Sequence, residues 1–204
     1  MRQVTEIRNV YTFKELKENA KQKVKERIFR DGYFWQDEAW ESLKALEKVF
    51  PGLNIVQAEF NSYASVHYRI FDIDESVLNL SGARLYAWIQ NNLHEYLYQR
   101  KPQGKYTKNE IIGKWAYKRR SRIIYTETDC PFTGYCMDAD ILEPIRQFLK
   151  NPDKNTTLEN IISDCVNAWE KSAAADCEWQ ESDEYMAEHC EANGYEFTEE
   201  GDIF

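Results

Sequence analysis

The chain predicts an α+β fold: a small antiparallel sheet of about three strands with helices packed on one face and a helical, acidic C-terminal part. Three observations carry this. Apolar residues recur at three- and four-residue spacing before position 50 and again after position 82. Between them, over 53–71, the pattern switches to alternation rich in β-branched and aromatic residues. After position 129 helical spacing returns, and the charge turns acidic.

Taken in order, Thr12 and Glu15 have the spacing of a capping box for a first helix, with Phe13, Leu16, Ala20, Val24 and Ile28 on one face and Asp31-Gly32 as its stop. A second helix runs through Ala39, Trp40, Leu43, Leu46 and Phe50 and ends at Pro51-Gly52. LNIVQAEF (53–60) and YASVHYRIF (63–71), separated by Asn61-Ser62, read as a β-hairpin. In its second strand Ala64, Val66, Tyr68 and Ile70 face one way, and Ser65, His67 and Arg69 the other, as in a sheet covered on one side. Leu85, Trp88, Ile89, Leu93, Tyr96 and Leu97 define a helix over 82–99, and a shorter one is expected near 107–118. SRIIYTET (121–128) reads as the third strand.

The stretch 129–150, DCPFTGYCMDADILEPIRQFLK, joins two differently charged parts: a Cys-Pro turn, Gly134, two acids, then an apolar stripe of Leu142, Ile145, Phe148 and Leu149. It marks an α+β body over 1–128 and a helical C-terminal subdomain over 129–204, or one continuous domain. Beyond it, Thr156 and Glu159 are placed as a capping box for a helix through Leu158, Ile161, Ile162, Cys165, Trp169 and Ala173. A further helix near 182–192 stops at Asn193-Gly194, and YEFTEEGDIF forms a closing hairpin around Glu199 to Gly201.

The formal net charge of −9 is unevenly spread. Eleven acids and no Lys or Arg lie between Ser172 and Phe204, whereas 100–122 holds nine cations and the single acid Glu110. Such segregation steers oppositely charged partners to two places. Glu178, Glu181, Asp183, Glu184 and Glu188 form a candidate partner-binding surface. Lys114, Lys118, Arg119, Arg120 and Arg122, interleaved with Tyr106, Trp115 and Tyr117, form the alternative: a nucleic-acid contact that pairs with phosphate and stacks on bases. Either segment also has a plain reading, as a solvated face or as one neutralising the other.

No motif for chemistry is recognised. There is no phosphate-cradling glycine loop and no nucleophile elbow, and His67, His94 and His189 fall outside any catalytic pattern. Cys130 and Cys136 are separated by five residues, not the two to four of a zinc knuckle, and Cys165, Cys177 and Cys190 are wider still. No metal or cofactor and no enzymatic activity are therefore expected. The N-terminal MRQVTEIRNVYTF has no apolar signal core and no apolar run is long enough to span a membrane, so a cytoplasmic protein with reduced thiols is expected.

YTFKELKENAKQKVKERI, CPFTGYCMDADILEPIRQFL and ANGYEFTEEGDIF together resemble a group of small phage- and prophage-encoded accessory proteins, some labelled antitoxin-like. The resemblance implies a mobile-element protein in the host cell cytoplasm. It implies a host protein or ribonucleoprotein complex as partner, bound and inhibited in the manner of anti-CRISPR proteins. It transfers no site residue, and it leaves the oligomeric state open.

Overall fold

A computed structural model describes residues 9–50, 52–93, 132–133 and 137–204. The fold is α+β, with a helical C-terminal part. Seven α-helices are described: α1 (Glu18–Ile28), α2 (Gln36–Val49), α3 (Glu75–Leu78), α4 (Gly82–Asn92), α5 (Met137–Lys150), α6 (Leu158–Gln180) and α7 (Asp183–Ala192). The described sheet has two antiparallel strands, β1 (Leu53–Glu59) and β2 (Ser65–Ile70). The third strand expected at 121–128, the helix near 107–118 and the expected domain boundary at 128/129 all lie outside the described residues.

The chain forms two compact units, each assembled from separate stretches. One comprises residues up to Gln36, Phe60–Ala64 and Ala173–Phe204; the other comprises Asp37–Glu59 and Ser65–Ser172.

In the first unit, the Thr12–Glu15 box forms as expected but caps something shorter. The Thr12 amide and hydroxyl both donate to the Glu15 carboxylate, at 2.8 and 2.9 Å. The capped element is a single 3-10 turn, Phe13–Glu15, and extended backbone at Leu16 and Lys17 separates it from α1. The break turns the apolar residues but does not expose them. Phe13, Leu16, Ala20 and Val24 form one buried cluster with Met186, Ala187, Cys190 and Phe197 from the chain's other end. Phe197 also pairs as a β-bridge with Tyr11 on one side and Ile203 on the other, so the closing hairpin gains a third segment. Antiparallel backbone pairing between positions so far apart leaves no signature in local periodicity.

In the second unit, β1 and β2 pair Leu53 with Ile70 through Glu59 with Ser65, with a bulge between Ile55 and Gln57. Leu53 and Ile55 are buried, while Asn54 and Val56 face outward. On β2, Val66, Tyr68 and Ile70 are half-buried and His67 and Arg69 exposed, the alternation the sequence predicts. Each strand also finds a helix carboxylate for an outward amide. Glu47 of α2 accepts from the Ile55 N–H at 2.6 Å, and Glu170 of α6 accepts from the Val66 N–H at 2.7 Å. These carboxylates occupy backbone donors that a bare edge would offer to another chain.

The same unit buries Leu43, Leu46, Leu85, Ile89, Ile141, Leu142, Ile145, Leu158, Ile162 and Trp169. The Trp169 indole N–H donates to the Ala39 carbonyl at 2.8 Å, satisfying the one polar atom of a side chain only 1% exposed. At the start of α5, fully buried Asp138 accepts the Phe132 and Thr133 amides at 2.8 and 2.7 Å, which fixes the turn leading into that helix. The cap of α6 lies one residue later than expected. Thr157 and Asn160 bond reciprocally, because Asp153 has already taken the Thr156 amide and hydroxyl.

Candidate partner-binding surface

The sequence-predicted acids divide into two groups. Asp183, the first residue of α7, places one carboxylate oxygen on Lys21 and the other on Lys25, both at 2.7 Å. Hydrogen bonds from these ammonium groups, Lys21 first, hold its carboxyl below the usual range. Glu181 is half-buried and accepts from the Tyr33 hydroxyl; burial, and then this carboxylate, push the Tyr33 phenol above its usual range. Two acids of the closing hairpin are engaged in the same way: Glu199 meets Lys17 at 2.6 Å and Asp202 meets Lys23 at 2.8 Å. Lysines of α1 and the residue just before it thus neutralise one set of acids within the unit.

Glu178, Glu184 and Glu188 form the other group. All three are exposed, and none makes an ion pair or hydrogen bond among the described residues. The alternative basic set, Lys114, Lys118, Arg119, Arg120 and Arg122, lies outside the described residues.

The helices that carry these carboxylates also carry aromatic rings that charge patterning did not reveal. Trp179, one residue after Glu178, is 48% exposed and lies edge-on to Tyr185, with centroids 6.1 Å apart. Tyr185 contacts Phe34 at 6.3 Å and stacks with His189 at 6.0 Å, and Phe34 and His189 are themselves 4.8 Å apart. Tyr33 continues the series, to Phe29 at 5.0 Å and to Phe60 at 6.3 Å. Burial among these rings depresses the His189 pKa. His189 is therefore a packed aromatic-cluster member, His67 stands exposed on β2, and His94 lies outside the described residues.

The GYFW run at 32–35 was the available signal for this cluster. Gln180, only 2% exposed, clamps it: its side-chain oxygen accepts the Phe34 amide at 2.9 Å and its amide nitrogen donates to the Phe34 carbonyl at 3.1 Å. The next residue, Trp35, is 57% exposed and has a φ of 63°. That backbone conformation costs a side-chain-bearing residue roughly 1–2 kcal/mol.

The three described cysteines are buried thiols. Burial raises the pKa of each, Cys177 to about 12 and Cys190 to about 11, with Cys165 higher still. Cys130 and Cys136 lie outside the described residues. Among the described residues no group of three or more His, Cys, Asp or Glu has the geometry to hold a metal ion, and no helix is long and apolar enough to cross a membrane.

Compared with family models, curated proteins and solved structures, the chain matched none.

Proposed function

We propose that this protein acts by binding rather than by chemistry, and that the acid-rimmed aromatic face around Trp179 captures a positively charged partner. One observation carries the reading. While neighbouring acids are matched by lysines, Glu178, Glu184 and Glu188 stay exposed with no partner among the described residues, and Glu178 directly precedes a half-exposed tryptophan. Carboxylates kept free at this density cost stability through mutual repulsion, and an exposed Trp is the residue type most enriched at binding hot spots. The resemblance to phage and prophage accessory proteins supplies the target class: a defence complex of the CRISPR type or a toxin complex, bound and inhibited in the host cytoplasm without metal or cofactor.

The test is affinity capture from bacterial lysate with mass spectrometry, with and without nuclease, using wild type and a Glu178→Lys/Glu184→Lys/Glu188→Lys variant. Asp183 and Glu181 are left intact because they hold Lys21, Lys25 and Tyr33. Nuclease-resistant capture that the triple reversal abolishes supports the reading. Capture unchanged by reversal overturns it, and capture lost on nuclease treatment transfers function to the basic segment at 100–122.

A further inference from the structure

We propose that Trp35 and Trp179 are paired aromatic anchors for an arginine-bearing segment of a protein partner, a refinement that rests on the acidic-face reading above. Trp35 stands immediately before α2, where Ser, Thr, Asp, Asn or Gly serves a helix start best. Its positive φ is a conformation that glycine adopts freely and a bulky aromatic does not. The residue is more than half exposed, so the interior gains little from it. The fold thus gives this position three reasons to hold glycine, and it holds tryptophan.

The strained turn is held in place from within. Gln180 bonds both backbone polar groups of Phe34, and Phe34 packs on Tyr185 and His189. Trp179 immediately precedes Gln180, and its ring lies edge-on to the same Tyr185. Trp179 thus contacts the ring cluster directly and Trp35 directly follows its clamped member Phe34, so both exposed residues are attached to one held framework, as side chains that meet a partner must be.

Charge decides the occupant. Glu178 directly precedes Trp179, and Glu184 and Glu188 lie before and after Tyr185 in the sequence of α7, all exposed and with no cation partner among the described residues. Phosphate is repelled by such a face. A guanidinium suits it on both counts, stacking on an indole while its fork pairs with a carboxylate, whereas a lysine ammonium lacks the planar stack.

The experiment is a fluorescence titration of the full chain with an arginine-rich decapeptide, its lysine counterpart and a glutamate-rich control, alongside lysate capture. Saturable binding of the arginine peptide is expected, weaker for lysine and absent for glutamate. Trp35→Gly and Trp179→Ala should each weaken arginine-peptide binding about fivefold, and Trp35→Gly should leave Tm unchanged or raised. Equal binding of the two cationic peptides, or none at all, overturns the anchors. So does a lowered Tm in Trp35→Gly, which makes Trp35 structural, or a dimer that this variant dissociates, which makes the occupant a second copy. If the tryptophan variants capture the lysate partner as wild type does while the triple acid reversal does not, the anchors fail and the acidic face stands. If the triple reversal captures normally, the underlying reading fails.

Discussion

Gly201 lies so close to Ala20 that a Cβ added to it would stand 2.6 Å from the Ala20 carbonyl oxygen. Its φ of 82° already favours glycine, so two independent constraints meet at one residue. The atom in the way belongs to a helix backbone and cannot swing aside. Gly201→Ala is expected to cost about 2–3 kcal/mol. Chemical denaturation monitored by circular dichroism measures this, and a loss below about 0.5 kcal/mol would show that the hairpin shifts freely.

Glu47 serves Lys44 and the Ile55 amide with the same carboxylate oxygen, at 2.7 and 2.6 Å. Burial works against its charge, but these two donors outweigh burial and hold its pKa below the usual value. Removing the side chain leaves the outward Ile55 amide without its acceptor beside a bulge. Glu47→Ala should destabilise by about 1–2 kcal/mol and speed amide exchange at Ile55, whereas Glu47→Gln should retain part of both. Hydrogen exchange read by NMR separates the two variants.

The buried thiols predict selective chemistry. In a Cys130→Ser/Cys136→Ser background, Cys165, Cys177 and Cys190 should resist a disulfide-exchange reagent at pH 8. Burial holds each in its unreactive protonated form. All three should react once denaturant is added, and peptide mass spectrometry identifies which. Rapid native labelling of any one would place it at the surface.

Much of the core was legible in the sequence. The Leu142, Ile145, Phe148 and Leu149 stripe and the β2 alternation are where periodicity places them, because each reports burial on a single element. The α6 cap moved by one residue because Asp153 competes for Thr156, and both placements satisfy the same local spacing. At the candidate surface, counting charges located the acids but could not sort them. Asp183 belongs to Lys21 and Lys25, positions 162 and 158 residues distant, while Glu184 beside it has no partner among the described residues. The exposure of Trp35 was hidden for another reason. A tryptophan in a GYFW run reads as core, and only the backbone angle shows the turn that lifts it out.

His189 gives stability a pH limb of its own. Its folded pKa is depressed below 6.5, so above that value the ring is neutral in both states and its contribution is intact. As pH falls through 6.5 the unfolded chain takes up the proton first, and stability declines until the folded ring protonates too. Asp183 and Glu199, whose carboxyls sit below their ordinary 3.8 and 4.5, lose their contribution only at lower pH. Between about pH 6.5 and 4.5, His189→Phe should therefore flatten the wild-type decline while keeping the ring against Phe34 and Tyr185. Denaturation midpoints across that range decide it; parallel curves would assign the decline elsewhere.

The cluster joining Phe13, Leu16, Ala20 and Val24 to Met186, Ala187, Cys190 and Phe197 also sets a timetable for biosynthesis. At roughly 5–20 residues per second, about ten seconds or more of translation separate the two halves of that cluster. During this interval the apolar stripe of α1 has left the ribosome with none of its native cover. The first unit can therefore complete itself only once residues 186–197 have been made, across a very long loop closure, and a chaperone able to shield α1 should raise the yield of folded protein.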